Sequence, residues 1–218
     1  VAATVVHLAC HPVCGAEDGM YTVSSDFVHH LRRTVTDELE GPVLFLQGAA
    51  GDVVPARRGG DTRKIVGRGL GNAVLANLPR LSEAEDVTVT AACESLALPV
   101  ERLYGGTDLD RDLADAAAAA NRASDAIDTD SPEGLHYWKL LSAAFFRRIY
   151  PDGIMRIEVS AVRIGPLSLV CLPFEILSSA SRELAETDPD ARIVSCTDGF
   201  QGYLPSEEEA RSGGYEGR

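Results

Sequence analysis

The chain has 218 residues, a net charge of −13, 45% apolar residues and 24% charged ones. That length suits one large domain, and the composition excludes wholesale disorder. The acidic balance excludes a nucleic-acid partner, which needs clustered Lys and Arg, and supplies no polybasic patch for anionic lipid. No apolar run approaches the roughly 20 residues of a membrane span, so no transmembrane segment is expected.

The sequence opens at Val1 inside a strand-like run and reads as a piece of a longer chain or a processed product. No signal peptide lies within it, and the compartment stays open. Cys10, Cys14, Cys93, Cys171 and Cys196 are odd in number and widely spaced, which reads as buried free thiols.

Ala3–Cys10 is β-branched and apolar, a strand that Pro12 stops just past His11. Ser24 or Ser25 caps a helix over Asp26–Leu39, with Phe27, Leu31, Val35 and Leu39 at helical spacing. Val43–Gln47 is a short apolar strand delivering the tight loop Gly48-Ala49-Ala50-Gly51-Asp52, closed by Pro55. Asp61 caps a second helix over Thr62–Leu78, with Ile65, Leu70, Val74 and Leu78 on its apolar side. Gly67, Gly69 and Gly71 weaken that helix by propensity but would let it lie close to a sheet.

Val87–Leu103 is strand-rich, and Pro99 marks an edge or a bulge. Asp108–Ile127 and the Ser131-capped Gly134–Tyr150 read as a helical hairpin inserted over 107–151. Ile154–Ile164 alternates and turns at Gly165-Pro166 into Leu167–Leu172, a β-hairpin. A helix over Glu175–Thr187, a strand over Ala191–Cys196, a loop to Tyr203 and a short acidic helix over Pro205–Arg211 complete the chain. The expected class is α/β: a mixed β-sheet with flanking helices and the hairpin insertion, all in one domain over 1–218.

His11, Asp52, Glu175 and Tyr203 each follow closely on a strand, the edge where open α/β sheets bind ligands. Imidazole, carboxylate and phenol gathered there suit Zn²⁺ with an open position for water. Each residue also has an ordinary reading. His11 serves equally as a hydrogen-bonded structural residue, Glu175 as a first-turn helix carboxylate, Tyr203 as core, and Asp52 as a cap on the Gly51 turn. Cys10-His11-Pro12-Val13-Cys14 lacks the second Cys pair of a structural zinc site. Asp26 reads as part of a helix cap or as a residue facing substrate. No phosphate-binding or dinucleotide fingerprint is present.

Four blocks together resemble the neutral/alkaline (non-lysosomal) ceramidase family and its bacterial relatives. They are Ala9-Cys10-His11-Pro12, Phe45–Val53 with Pro55, Leu172-Pro173-Phe174-Glu175, and Gly202-Tyr203-Leu204-Pro205 with Gly214-Tyr215-Glu216. The resemblance implies a hydrolase that uses one Zn²⁺ to cleave an N-acyl amide, ceramide-like or another small-molecule amide or lipid, by metal-activated water. By motif position it implies His11, Glu175 and Tyr203 as metal ligands, Tyr203 also as an oxyanion stabiliser, and Asp52 as a catalytic residue positioning water. The family's first histidine lies upstream of the block at Val1, so the chain reads as a fragment with three of four ligands. Val54 stands where ceramidases proper carry a serine implicated in attack on the amide, and a valine can neither attack nor donate a hydrogen bond. The alternative is therefore a catalytically inactive relative that serves as a binding or scaffold domain.

Overall fold

The structure is a computed structural model that describes residues 3–15, 23–84, 87–100, 108–123 and 131–212, without the side chains of 120–123. The Gly214-Tyr215-Glu216 block, the hairpin connection at 124–130 and the first residue of the 107–151 insertion lie outside the described residues. The class is α/β with mixed sheet and flanking helices. The chain divides into two compact units, Val1–Glu94 with Glu158–Gly217, and Ser95–Ile157 with Arg218.

In the first unit, β1 (Thr4–Leu8) pairs in parallel with β2 (Val43–Gln47), in register from Thr4 opposite Val43 to Leu8 opposite Gln47. The pleat sends alternate side chains to opposite faces, so Val6, Val43 and Phe45 face α1 (Asp26–Thr36). Phe27, Leu31 and Val35 of α1 recur every four residues and are fully buried. The Phe27 ring meets the Phe45 ring edge-on, centroids 6.1 Å apart. The helix stops at Thr36, short of Leu39, which packs on the same cluster from beyond its end. Ser24, not Ser25, supplies the hydroxyl at the start of α1, accepting the Asp26 amide at 3.0 Å.

α2 (Thr62–Asn77) packs on α1 through Leu70 and Val74 and through two glycines. A Cβ at Gly67 would lie 2.4 Å from the Phe27 carbonyl oxygen, and one at Gly71 would lie 2.6 Å from Thr34 Cβ. The glycines thus serve a close helix–helix approach, rather than the helix–sheet approach expected from sequence. Ile65 is 68% exposed, because the packed face runs along Gly67, Leu70, Gly71 and Val74 instead. Asp61 precedes α2 without a side-chain capping bond.

A second sheet has the order β3-β4-β5-β7, with β3 (Val89–Pro99) at its edge, which suits Pro99 at the strand's last position. β4 (Ile154–Ile164) and β5 (Leu167–Leu172) form the antiparallel hairpin, Ile164 opposite Leu167 across the Gly165-Pro166 turn. Gly165 takes φ 57°, a conformation open to glycine at little steric cost. β5 pairs in parallel with β7 (Ala191–Ser195), with α5 (Ser178–Thr187) on the chain between them.

A third, two-stranded sheet corrects the sequence reading of Glu175. Glu175–Ile176 is a strand, β6, and α5 begins only at Ser178. β6 pairs in parallel with β8 (Tyr203–Leu204), Glu175 opposite Tyr203, and the short acidic helix α6 follows at Glu207–Ser212. The helix-dipole reading of Glu175 is thereby excluded.

In the second unit, α3 (Leu109–Ala123) and α4 (Pro132–Ile149) pack through Leu109 and Ala116 on one side and Leu140 and Ala143 on the other. Ser131 Oγ caps α4 by accepting the Gly134 amide at 3.0 Å. The five cysteines are free, but only Cys14 is buried. Cys10 and Cys171 are half-buried and Cys93 and Cys196 exposed, a correction to the uniformly buried set. No helix among the described residues is long and apolar enough to cross a membrane.

The glycine geometry predicts opposite outcomes on one helix. Gly67→Ala or Gly71→Ala should lower unfolding free energy by about 1–3 kcal/mol through overpacking. Gly69, whose Cβ would meet nothing within 4 Å, should gain up to about 1 kcal/mol as Gly69→Ala. Urea unfolding of the three variants measures both.

Candidate functional site

The chemistry gathers in the first unit, where two parallel strand pairs end. His11 lies three residues past β1, and its amide donates to the Val53 carbonyl at 2.9 Å, tying it to the Gly-rich loop after β2. Asp26 holds the chain beyond His11. Its carboxylate accepts from the Cys14 amide at 3.0 Å, the Gly15 amide at 2.7 Å and its own neighbour Phe27 at 2.7 Å. With φ 52° and 5% exposure, Asp26 is a buried brace rather than a group facing substrate. Its charge, after burial, pushes the Cys14 thiol up to about 11, which keeps that thiol protonated.

The loop after β2 is fixed from below. The Gly48 amide donates to Leu8 and the Gly51 amide to Ile176, both at 2.8 Å. A Cβ at Gly51 would stand 2.8 Å from Leu177 Cδ1 and 3.1 Å from the Ile176 carbonyl, so only glycine fits without displacement. Gln47, the last residue of β2, donates from Nε2 to the Cys10 carbonyl at 3.2 Å and so holds the residue before His11.

Glu175 and Tyr203 come together because β6 and β8 put them opposite one another, with the Glu175 amide on the Gly202 carbonyl at 2.8 Å. His11 meets both. Its Nε2 lies 3.0 Å from Glu175 Oε2 and 3.4 Å from the Tyr203 hydroxyl, and the two rings stand edge-on with centroids 6.4 Å apart. Side-chain exposures of 19% for His11 and 17% for Glu175 leave both reachable from a pocket of about 250 Å³. Residues 11, 175 and 203 therefore share one centre.

Asp52 does not share it. Its two carboxylate oxygens accept from the Ser178 amide and the Ser178 hydroxyl, each at 2.7 Å, at the first turn of α5. Burial by itself would raise the Asp52 pKa. The Ser178 hydrogen bonds, with Arg182 nearby, outweigh it and hold the carboxyl below its ordinary value. The acceptor also lies at the positive end of the α5 dipole.

Three pocket walls were missed by sequence reasoning: Gln47, Ser195 and Cys196. The signal was available, because Gln47 and Ser195 are the last residues of β2 and β7 and Cys196 follows directly. Ser195 Oγ and the nearby Thr197 Oγ1 are buried with no hydrogen-bond partner. Cys196 takes φ 59°, uncommon for a residue with a side chain. Although the residue as a whole is exposed, partial desolvation of its thiol and then the Glu175 charge push the thiol pKa up, which disfavours the nucleophilic thiolate. Val54, 48% exposed, brings no polar group.

The donor set can be weighed against a metal. Tetrahedral Zn²⁺ with ligands at 2.0–2.1 Å separates neighbouring donors by about 3.3 Å. The spacings from His11 Nε2 to Glu175 and to Tyr203 fall close to that edge length. Among the described residues no set of three or more His, Cys, Asp or Glu side chains is arranged to hold a metal ion; the cluster here is one imidazole and one carboxylate with the Tyr203 phenol. Imidazole nitrogen, carboxylate oxygen and a phenolic oxygen are chemically suited to the ion. The same two contacts make the three side chains one polar cluster around His11 Nε2.

The fold that carries this pocket is ceramidase-like. Two solved structures share it: the neutral ceramidase from Pseudomonas aeruginosa, at 13% identity and TM-score 0.58, and a ceramidase complexed with C2, at 14% and 0.57. Each match takes in 99% of this chain but 40% and 42% of the other, so the chain spans about two fifths of those structures. Likeness at this identity carries the fold alone. No protein-family model and no curated protein matches the sequence.

Asp52 gives a signed pH prediction. A carboxyl with a lowered folded pKa contributes stability that is full above its unfolded value near ~3.9 and is lost as pH falls through the folded value. Thermal melts should therefore show the wild type slightly ahead of Asp52→Asn at neutral pH, since a carboxylate charge at a helix N-terminus is worth about 0.3–1 kcal/mol. The gap should close below about pH 4.

Proposed function

We propose that this chain forms the metal-holding part of a hydrolase that cleaves an N-acyl amide bond in a ceramide-like or other small amide substrate. The observation that carries the reading is the meeting of His11 Nε2 with Glu175 Oε2 and the Tyr203 hydroxyl, from three remote segments, at spacings suited to Zn²⁺. His11, Glu175 and Tyr203 would hold the ion, with a further histidine supplied from outside this chain. Bound there, Zn²⁺ supplies Lewis-acid activation of water and of an acyl carbonyl.

The chain's own residues do the rest. Glu175 would neutralise part of the ion's positive charge. Tyr203 presents its hydroxyl where negative charge develops on the acyl oxygen and stabilises it by hydrogen bonding. Gly48 and Gly51 line the pocket, and their missing Cβ atoms let the loop sit directly against Ala9 and against Ile176 and Leu177. Asp52 acts at one remove, anchoring that loop to α5 through Ser178, so that Gly51 and His11 keep their positions. With valine at position 54 the serine-dependent attack of ceramidases proper has no counterpart, and water is the nucleophile.

Val54 also favours a second reading, a relative that keeps the fold and pocket as a binding or scaffold domain without catalysis.

Metal analysis of the full-length protein separates these. The hydrolase reading expects about one zinc per chain, lost in His11→Ala and Glu175→Ala. It also expects turnover of N-acyl amides that falls about 100-fold in Tyr203→Phe. Zinc without turnover above the Glu175→Ala background supports the binding domain, and full zinc occupancy in both alanine variants removes the ligand assignment.

A further inference from the structure

The first unit holds a second pocket of about 520 Å³, inside the range of roughly 300–1,000 Å³ typical of small-molecule sites. Its origin is a mismatch of helix ends. A Cβ at Gly67 would crowd the Phe27 carbonyl and His30, and one at Gly71 would crowd Thr34, so α1 and α2 run side by side in the same direction. Past that contact α1 stops at Thr36, while α2 continues to Asn77. The gap beyond the shorter helix is lined on one side by Asp37, Glu38 and Leu39. On the other side stand Arg68, Asn72 and Leu75, which recur at helical spacing on one strip of α2, and Leu78 just past its end. The three leucines are half-buried. Asp37 is paired with Arg33 at 3.3 Å. Glu38, Arg68 and Asn72 are exposed, and their side chains have no hydrogen bond or ion pair among the described residues.

We propose that this pocket binds a small zwitterion with an apolar side chain, the chemistry of an aliphatic α-amino acid. The lining carries both signs of charge, and that decides the class. A simple anion would meet Asp37 and Glu38, a simple amine would meet Arg68, and a neutral ligand would cover charged groups without pairing them. A zwitterion answers both. The Arg68 guanidinium takes the carboxylate through its fork of N–H donors, and the Asn72 amide donates a further bond. Glu38 accepts from the ammonium, beside the negative end of the α1 dipole. The aliphatic side chain then covers Leu39, Leu75 and Leu78. His11, Glu175 and Tyr203 line no part of this pocket, so the proposal is independent of metal and hydrolysis.

Equilibrium dialysis of radiolabelled L-leucine against the full-length protein tests this, with three unlabelled competitors that each lack one feature. Isocaproate lacks the ammonium, isoamylamine lacks the carboxylate and glycine lacks the side chain. Saturable binding of L-leucine is expected, with each competitor weaker by about tenfold or more, the size of one lost charge-assisted bond. The variants should separate the two charges. Glu38→Gln should abolish the preference for leucine over isocaproate and keep that over isoamylamine. Arg68→Met should do the reverse. Circular dichroism should stay unchanged in both, since both residues are exposed. Any of three results overturns the proposal: no saturable binding of L-leucine, a competitor that binds as tightly as L-leucine, or both preferences surviving unchanged in the two variants.

Discussion

Two residue pairs, Glu175 opposite Tyr203 and Ile176 opposite Leu204, hold the pocket together. A strand pair this short has no stability of its own. It persists because the chain around it is tied repeatedly to the segment after β7. Cys196 donates its amide to Phe174, Thr197 to Leu172, Gln201 to Pro173 and Glu175 to Gly202, at distances from 2.8 to 3.1 Å. Phe174, Ile176 and Leu177 are buried beneath, so the ladder stands on apolar packing. Gly202, at φ 91°, provides the bend from which the Glu175 amide draws its acceptor. From that base the Ile176 carbonyl reaches the Gly51 amide, and Val53 reaches His11. The positions of His11, Glu175 and Tyr203 trace back to this ladder.

The molecule braces its loops with carboxylates used as acceptors. Asp26 gathers three backbone amides and Asp52 an amide and a hydroxyl. A carboxylate accepts strongly through both oxygens and so substitutes for a length of regular structure. This explains how the irregular residues 9–15 after β1 and 48–55 after β2 hold their places beside the pocket. It also explains why an acidic residue next to a Gly-rich loop is an ambiguous sign of catalysis when read from sequence alone.

Where local pattern decides structure, the sequence was legible. The apolar run Val43–Gln47, the alternation before Gly165-Pro166 and the Ser131-Pro132 helix start all depend on neighbours in the chain. Their outlines came through nearly to the residue. Glu175 was misread because a two-residue strand has no periodicity, and its pairing partner lies 28 positions later. Ile65 was misread because apolar spacing alone ignores how closely Gly67 and Gly71 let α1 approach. In the pocket, residues 11, 175 and 203 stood out because imidazole, carboxylate and phenol are chemically conspicuous. Gln47, Ser195 and Cys196 line the same walls without that advantage. Asp52 could be placed at a strand end, but its bond to Ser178 spans 126 positions and leaves no trace in the local pattern.

The wide spacing of the pocket residues has a consequence for biosynthesis. The contact between His11 and Tyr203 joins positions 192 apart. A ribosome adding about 5–20 residues per second needs about 10–40 seconds to travel between them. Throughout that interval the imidazole has been made and its phenolic neighbour has not. The nascent polypeptide thus grows through that whole interval without an assembled centre, which closes only once β6 and β8 have both emerged from the exit tunnel.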